Sequence, residues 1–317
     1  MIPALRLTAA LKDRARASGF DACGIARADA SPRADFVRRW LDDGRHGEMH
    51  WLAQRFDERT DVRTYLPGAK SVVVVTTSYH VPLKLAPLSP TAGRIARYAL
   101  GDDYHDHLKR KLHSLADWLR GESGCETRAC VDTAPILESE WAARAGVAWQ
   151  GKNRLALDTK LGSYLLLGEL VTTAELEPDE AAVDRCGTCT RCLDACPTDA
   201  LRPYEIDPRR CISYWTIEHR GSAKSIPPDM RRGIGDWLFG CDVCQEVCPW
   251  NGKAEVGTDA ALAPRPALAT GTLDAAEVAS WTPEQYRQTL RGSAMKRTKL
   301  PQLQRNARIV LENAQAT

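Results

Sequence analysis

The sequence lacks several features that would place it in a membrane, in a secretory pathway or along a polyanion. No apolar run among its 317 residues reaches the ~18 residues that a membrane-spanning helix needs. The segment from Met1 to Phe20 contains no uninterrupted apolar stretch, so we predict no secretory signal and expect a cytoplasmic protein with no membrane partner. An excess of one charge is also missing, because 43 basic and 41 acidic side chains leave a net charge of +2. This balance excludes a protein that coats nucleic acid over its whole surface, but it permits a local basic patch.

Cysteine is plentiful and unevenly distributed. Of the 11 cysteines, Cys23, Cys125 and Cys130 are scattered, whereas the other eight lie between Cys186 and Cys248. A reducing compartment disfavours a disulfide framework. We therefore interpret the crowded cysteines as metal ligands and the three scattered ones as packing thiols.

An acidic, proline-containing stretch at residues 175–180 separates the cysteine-rich segment from the chain before it. The sequence thus predicts three parts: an N-terminal domain over residues 1–175, a metal-binding domain over residues 176–255 and a short helical tail over residues 256–317.

The N-terminal part mixes predicted strands and helices. Two apolar runs are typical of buried strands, Val72 to Thr77 and Ser163 to Thr173. Leucines at helical spacing predict a helix from His105 to Arg120, and a second helix is predicted from Trp141 to Trp149. This alternation favours a layered α/β (α+β) domain.

The strongest motif is a run of four cysteines, Cys186, Cys189, Cys192 and Cys196, followed by a proline. This is the bacterial ferredoxin spacing, in which three close cysteines bind one cluster and the fourth binds the other. Cys241, Cys244 and Cys248-Pro249 repeat the end of the motif, and Cys211 can serve as its first cysteine. The crossed rule then predicts two [4Fe-4S] clusters, one on Cys186, Cys189, Cys192 and Cys248 and the other on Cys196, Cys211, Cys241 and Cys244.

Two alternatives remain open at this point. Paired C-x2-C knuckles also suit a pair of structural zinc sites, although zinc does not require the third cysteine or the two prolines. The segment between Cys211 and Cys241 is rich in aromatic residues, which either cover a flat organic cofactor or pack a domain interface; they are Tyr214, Trp215, Trp237 and Phe239.

Several short motifs together resemble the epoxyqueuosine reductase family, with similarity running from about Ala15 to Asn251. They are Val131-Asp132-Thr133, Gly151-Lys152-Asn153, Gly162-Ser163-Tyr164, Arg210 to Tyr214 and Gly240 to Pro249, together with the first cysteine run. The resemblance implies a cobalamin-binding catalytic α/β domain, a ferredoxin-like domain with two [4Fe-4S] clusters, and a tail that is a remnant of HEAT-like repeats. It also implies reduction of epoxyqueuosine at the tRNA wobble position to queuosine by cob(I)alamin, the final step of queuosine biosynthesis.

The resemblance assigns Asp132 as the general acid and as a cobalamin contact. To donate a proton near neutral pH, Asp132 needs a pKa well above ~3.9, and burial against an apolar cofactor could provide this rise. From the residues alone, the alternative is that Asp132 caps a helix starting at Ile136, just after Pro135.

The resemblance also implies further cobalamin contacts, namely Arg59, Ala156, Leu167, Ser213 and Asp242. For Arg59, the residue type alone equally suits a solvated surface charge. The cobalt-ligand motif Asp-x-His-x-x-Gly is only approached by Asp103-Tyr104-His105, because Leu108 replaces its glycine. We therefore expect cobalamin to bind without a protein histidine on cobalt.

The tail carries a basic segment. From Glu284 to Arg308 the chain has seven basic residues, Arg287, Arg291, Lys296, Arg297, Lys299, Arg305 and Arg308, which suit either RNA phosphates or a solvated helix face. The expected partners are the tRNA anticodon stem-loop that contains epoxyqueuosine and an electron donor such as a flavodoxin or ferredoxin system, and we expect a monomer.

Two other functions compete with this interpretation. A reductive dehalogenase-like enzyme would share cobalamin and two clusters but act on small organohalides, usually with an export signal. A ferredoxin-type electron carrier would need only the cluster motif.

Overall fold

An antiparallel sheet forms the centre of the N-terminal part in this computed structural model, which describes residues 3–83 and 89–316. The ends of the predicted parts at residues 1, 2 and 317, and residues 84–88, lie outside the described ranges. The strands in chain order are β1 Ala22–Arg27, β2 Ser71–Ser78, β3 Ala92–Ile95, β4 Thr127–Cys130, β5 Trp149–Gln150, β6 Ala156–Leu157, β7 Leu165–Thr172, β8 Leu201–Arg202, β9 Glu205–Ile206, β10 Trp237–Phe239 and β11 Thr272–Asp274.

The helices pack on both faces of this sheet and then continue through the cysteine-rich part and the tail. They are α1 Ala4–Ala17, α2 Ala34–Asp42, α3 Phe56–Thr60, α4 Val62–Tyr65, α5 Tyr104–Ser123, α6 Glu138–Arg144, α7 Arg191–Asp194, α8 Pro228–Ile234, α9 Val243–Glu246, α10 Ala275–Ser280, α11 Pro283–Thr289 and α12 Leu300–Gln315. Within residues 3–83 and 89–316, no helix is both long and apolar enough to cross a bilayer.

The central sheet has the order β1-β2-β7-β4, and all its neighbouring strands are antiparallel. Every residue of β2 is buried, because α1 and α5 cover one face of the sheet and α6 covers the other. Successive strand residues point to opposite faces. Leu170 of β7 therefore joins the core with α5, whereas Val171 joins the core with α6.

A second, three-stranded sheet ties the three parts of the chain together. Strand β10, from the cysteine-rich part, pairs in parallel with β3, and β11, from the tail, pairs antiparallel with the other edge of β3. Gly240 follows β10 with a φ of 69°, and a Cβ there would lie 2.5 Å from the Cβ of Ala96. The two backbones therefore approach more closely than any other residue type would allow.

The predicted α/β (α+β) fold class is confirmed, as are the strands β2 and β7 and the helix α5. The helix predicted from Trp141 to Trp149 is wrong in its second half. Helix α6 ends at Arg144, and Gly146 takes a φ of 73°, which reverses the chain and leads into strand β5 at Trp149.

Candidate active site

Four cysteines line a cavity of ≈ 420 Å³ in the cysteine-rich part, and they are Cys186, Cys189, Cys192 and Cys248. We call them the outer group. Burial raises the pKa of Cys192, and the neighbouring thiols of Cys248, Cys186 and Cys189 raise it further. Cys248 thus lies with the first three cysteines of the first run, although it is the last cysteine of the second run.

The other four cysteines, Cys196, Cys211, Cys241 and Cys244, form an inner group. Burial raises the pKa of Cys241, and nearby Cys211 and Cys196 add to the rise. The pKa of Cys244 lies well above its usual value because of burial and of Cys241 and Cys211. Cys211 and Cys241 pack against an apolar cluster that includes Ile212 and Trp237, so this group is more enclosed than the outer one.

Backbone N–H groups point at sulfur atoms of the inner group. The N–H of Ala200 lies 3.3 Å from Cys196 Sγ, and the N–H groups of Ser213 and Tyr214 oppose the rise that burial causes in the pKa of Cys211. Such donors stabilise thiolates. Among the described residues, no group of three or more His, Cys, Asp or Glu side chains is arranged to hold a metal ion. The four cysteines of an iron-sulfur cluster each bind a different iron atom, so they need not converge on one point.

Asp132 lies in the loop between β4 and α6 and does not cap a helix. Helix α6 begins at Glu138 with Leu137 as its N-cap, so the alternative of a helix starting at Ile136 is wrong. Asp132 adopts a φ of 50°, in the left-handed region that non-glycine residues rarely occupy. Its backbone N–H donates to Glu138 Oε1, and this bond holds the residue in that conformation.

His105 connects two carboxylates at the start of α5. Its Nε2 lies 3.0 Å from Asp132 Oδ2, and its Nδ1 lies 2.7 Å from Asp103 Oδ1. Burial lowers the pKa of His105, but the hydrogen bonds to Asp103 and Asp132 outweigh burial and raise the pKa to about 9. The imidazole is therefore charged at neutral pH and donates from both nitrogens.

The hydrogen bond from His105 shifts the pKa of Asp132 in the direction opposite to the predicted one. The Asp132 side chain is 56% exposed, so burial raises its pKa only in part, and the hydrogen bond and charge of His105 outweigh it and lower the pKa. The expectation that Asp132 has a lifted pKa is therefore not met in the chain by itself. The proton of this pair is carried by His105.

Two further carboxyl groups lie behind Asp132. Burial raises the pKa of Glu138 to about 8, and the charge of Asp132 adds to the rise. Glu169, in the middle of β7, is fully buried, and neither of its oxygens has a hydrogen-bond partner among the described residues. Burial holds the pKa of Glu169 well above its usual value, and Glu138 and Asp132 contribute as well. Both carboxyl groups therefore hold a proton more tightly than an ordinary glutamate does.

The predicted contacts Arg59, Ala156 and Leu167 lie on the side of the sheet that α6 covers. Arg59 is buried rather than solvated, so the surface-charge alternative is wrong, and its Nε has no hydrogen-bond partner within residues 3–83 and 89–316. Ala156 belongs to the apolar cluster of α6, and Leu167 packs against that cluster. Leu167 pairs with Thr76 of β2, whose buried Oγ1 also lacks a partner.

The other two predicted contacts lie next to cysteines of the inner group: Ser213 is two residues after Cys211, and Asp242 directly follows Cys241. Asp242 is 2% exposed, and both of its oxygens are engaged: Oδ2 accepts from the N–H of Arg97 at 2.7 Å and Oδ1 from Gln245 Nε2 at 3.1 Å. Burial raises its pKa to about 6. The Tyr98 ring lies 6.1 Å from the ring of Phe239, two residues before Cys241, and 6.0 Å from the ring of Tyr104, which stacks on His105.

The aromatic residues between Cys211 and Cys241 pack the interior. Phe239 is fully buried in the main core, and Tyr214, Trp215 and Trp237 belong to the apolar cluster beside the inner group. The packing alternative is therefore correct for these four rings. In the tail, Arg305 is 5% exposed and donates to the carbonyls of Trp215, His219 and Gly221, so it does not belong to a surface patch.

Sequence reasoning did not assign roles to His105, Glu138 or Glu169. His105 was considered only as part of an incomplete cobalt-ligand motif. The informative signal for Glu169 is a single carboxylate inside an otherwise apolar predicted strand, because a charge there must be paired or neutral.

Comparison with known proteins places two family profiles on the chain. Residues 59–133 match "Epoxyqueuosine reductase QueG, DUF1730", and residues 185–251 match a "4Fe-4S double cluster binding domain". Epoxyqueuosine reductases of Synechococcus sp. (strain CC9605) and Gloeobacter violaceus are 40% and 42% identical to it. These alignments cover 95% and 96% of this chain and 94% and 95% of the relatives.

Solved structures show the same similarity. A crystal structure of epoxyqueuosine reductase with an epoxyqueuosine-modified tRNA-Tyr stem loop superposes with a TM-score of 0.88 at 30% identity. The enzyme from Streptococcus thermophilus superposes with a TM-score of 0.87, also at 30% identity. Each comparison covers 98% of this chain and 82% of the other. The chain belongs to the epoxyqueuosine reductase family.

Proposed function

We propose that the protein reduces epoxyqueuosine at the wobble position of tRNA to queuosine, the last step of queuosine synthesis. The epoxide takes up two electrons and two protons, both of its C–O bonds break, and the products are an alkene and water. The observation that carries the proposal is the hydrogen bond between protonated His105 and Asp132, in a chain whose eight clustered cysteines form two groups of four. The relatives and the stem-loop complex supply the identity of the substrate.

The two cysteine groups are suited to one [4Fe-4S] cluster each. The outer group lines a cavity of ≈ 420 Å³, and sulfur atoms of the inner group receive backbone N–H donors, a pattern that stabilises cluster thiolates. The matching double-cluster profile over residues 185–251 favours iron-sulfur clusters over zinc.

The side of the sheet under α6 suits cobalamin. Leu167 and Ala156 offer apolar surface to a corrin face, and two buried polar atoms without partners, Arg59 Nε and Thr76 Oγ1, are available to its amide groups. We propose that these residues and Asp132 hold the cofactor from this side and that Ser213 and Asp242 approach it from the inner group. When bound, cobalamin supplies the strongly reducing, nucleophilic centre that epoxide opening requires.

We propose that Asp132 delivers protons to the departing oxygen and that His105 reloads it. His105, with a pKa of about 9, carries a proton at neutral pH, and its Nε2 is 3.0 Å from Asp132 Oδ2. Glu138, whose pKa is raised to about 8, has a structural role in this scheme. Its Oε1 accepts a hydrogen bond from the backbone N–H of Asp132 and so keeps the loop in place. In the Bacillus subtilis enzyme an aspartate-bearing catalytic loop has been seen swung out of the active site, and we propose that the Asp132 loop moves in the same way.

The proposed partners are an epoxyqueuosine-containing tRNA anticodon stem-loop and a separate electron donor of the flavodoxin or ferredoxin type. Basic residues of the tail that have no ion-pair partner in the described chain, Arg291, Lys296 and Arg308, are available for RNA phosphates. We propose that the protein works as a monomer, since one chain supplies both cysteine groups and Asp132.

The test is an anaerobic reconstitution with iron, sulfide and cobalamin, dithionite as reductant and an epoxyqueuosine stem-loop as substrate. We expect about eight iron and eight sulfide per chain and conversion of the epoxide to the alkene, detected by mass spectrometry as the loss of one oxygen atom. Omitting cobalamin should abolish product formation. Zinc in place of iron, or a fully loaded protein that leaves the stem-loop unchanged, would contradict the proposal.

A further inference from the structure

We propose that the surface around the outer cysteine group is the docking site for an acidic one-electron carrier protein. This surface, which we call the basic rim, consists of Arg185, Arg191 and Lys253. The inference rests on the proposed function, because each turnover consumes two electrons that the chain must receive from outside.

The outer group is the cysteine group that opens to the surface. The cavity that its four cysteines line is also lined by Lys152 and by the three residues of the basic rim, and no acidic side chain among the described residues lines it. In a chain with 43 basic and 41 acidic residues, four basic and no acidic side chains around one opening are a local enrichment. The cavity therefore presents positive charge directly above the outer group.

The basic rim is free to bind a partner. Arg185, Arg191 and Lys253 are exposed, and within residues 3–83 and 89–316 their side chains form no hydrogen bond or ion pair. Other arginines nearby are already paired, such as Arg94 with Glu246. Lys152 differs from the rim because it donates to the carbonyls of Gly187 and Cys189, at 2.6 and 3.0 Å, and so holds the cysteine loop.

Two acidic residues near the rim, Asp194 and Glu246, have contacts of their own. A neighbouring cavity of ≈ 810 Å³ shares Arg191, Lys253 and Cys248 with the first and is also lined by Asp194 and Glu246. Asp194 accepts from Thr190 Oγ1 at 2.7 Å, and Glu246 is paired with Arg94. The charge of Glu246 is therefore balanced by Arg94, whereas Asp194 keeps its negative charge at the edge of the rim.

The positions of the two cysteine groups set the order in which incoming electrons would meet the two clusters. The outer group faces the cavity, whereas the inner group packs against the apolar cluster around Trp237. Between Cys241 and Asp132 lie the rings of Phe239, Tyr98 and Tyr104, and the Tyr104 ring stacks on His105, the partner of Asp132. Electrons that enter at the rim pass the outer group before the inner group and then reach the substrate side. An acidic carrier suits this entry because opposite charge accelerates a short-lived encounter more than it strengthens the complex.

The experiment measures cluster reduction by a strongly acidic flavodoxin in its reduced form, by stopped flow over a range of ionic strength. With the cofactor-loaded double variant Arg191→Glu/Lys253→Glu, the second-order rate constant at low salt should fall by about 10-fold to 100-fold. The difference should shrink as salt approaches ~1 M, where the screening length is ~3 Å. Arg185→Glu alone should show a smaller loss of the same kind.

The matched control is Arg6→Glu/Arg110→Glu, which makes the same charge change at exposed positions on α1 and α5. This control should reduce at the wild-type rate. With dithionite as reductant, the rim variant should turn over the epoxyqueuosine stem-loop like wild type, which shows that its clusters are intact. Equal flavodoxin rates for the rim variant and wild type at every ionic strength would overturn the docking site. Failure of wild-type turnover with dithionite would instead refute the proposed function.

Discussion

At the scale of single residues, the chemistry depends on which atom carries the proton. Asp132 is ionised at neutral pH because His105 lowers its pKa, so the carboxylate itself holds no proton to give. The pair together can donate, because a proton can pass from His105 to Asp132 across a 3.0 Å hydrogen bond.

Replacing Asp132 with Asn tests the acid. Asn keeps the shape and tolerates a positive φ, so the melting temperature should barely change. Because an amide cannot deliver a proton, turnover of the epoxyqueuosine stem-loop should fall by ~10²-fold to 10⁴-fold. Near-normal turnover would remove Asp132 from the mechanism, and a large drop in melting temperature with a matching loss of activity would assign it to the fold instead.

Replacing His105 with Gln tests the reloading step through the pH profile. Wild-type turnover with dithionite should decline as the pH rises through about 9, where His105 loses its proton. In the variant the decline should begin at lower pH, because Asp132, Asp103 and Glu138 are then the titrating groups nearest the site. An unchanged profile would show that His105 only positions the loop.

The same histidine makes a signed prediction for stability. Its pKa in the folded protein, about 9, lies above the unfolded value near 6.5, so the folded state binds the proton more tightly. The stabilisation is complete below the unfolded pKa and is lost as the pH rises through about 9. The difference in melting temperature between wild type and His105→Gln should therefore shrink between these two pH values.

At the scale of elements, the two cysteine groups draw on both cysteine runs. Helix α7 carries Cys192 of the outer group and α9 carries Cys244 of the inner group, and the two short helices contact each other. Cys248 follows α9 yet lines the outer cavity. Cys244 and Cys248 are consecutive cysteines in the sequence, yet they belong to different groups.

The variant Cys248→Ala separates the two groups. It should damage the cluster of Cys186, Cys189 and Cys192 and leave the inner cluster intact, since only the outer group loses a thiolate. Electron paramagnetic resonance of the reduced protein, with iron analysis, measures this. The matched variant Cys244→Ala should damage the inner group. Loss of the inner cluster in the Cys248 variant would reverse the pairing.

The tail gives a prediction for RNA binding. Replacing Arg291, Lys296 and Arg308 with Ala should weaken binding to an anticodon stem-loop and reduce the slope of log affinity against log salt by up to about three contacts. Arg305 is excluded because its buried guanidinium donates to three backbone carbonyls, and its replacement would remove these bonds between α12 and the cysteine-rich part. An unchanged slope would return the three residues to the solvated-face alternative.

The sequence predicts the features that depend on neighbouring residues, and it does not predict those that depend on contacts between distant parts of the chain. Strands β2 and β7, helix α5 and the cysteine run carry their signals in neighbouring residues, so periodicity and spacing predict them. The contact between His105 and Asp132 depends on packing α5 beside the loop after β4, and no local pattern contains it. The end of α6 was missed because apolar periodicity continues past Gly146, whereas the backbone turns there.

At the scale of the whole molecule, the parts of the chain are joined by β3. The strand receives β10 from the cysteine-rich part on one edge and β11 from the tail on the other. The N–H of Arg97, just after β3, also binds Asp242 beside Cys241. The predicted boundaries at residues 175 and 255 therefore do not coincide with independent sheets, and the domain division stays a prediction.

The pairing of β10 with β3 has a consequence for how the protein matures in the cell. Strand β10 ends next to Gly240 and Cys241, and Gly240 approaches Ala96 at a distance that only glycine allows. The inner thiols therefore reach their final positions only when the cysteine-rich part has closed onto β3. Assembly of the inner cluster is therefore coupled to the closure of the cysteine-rich part onto β3.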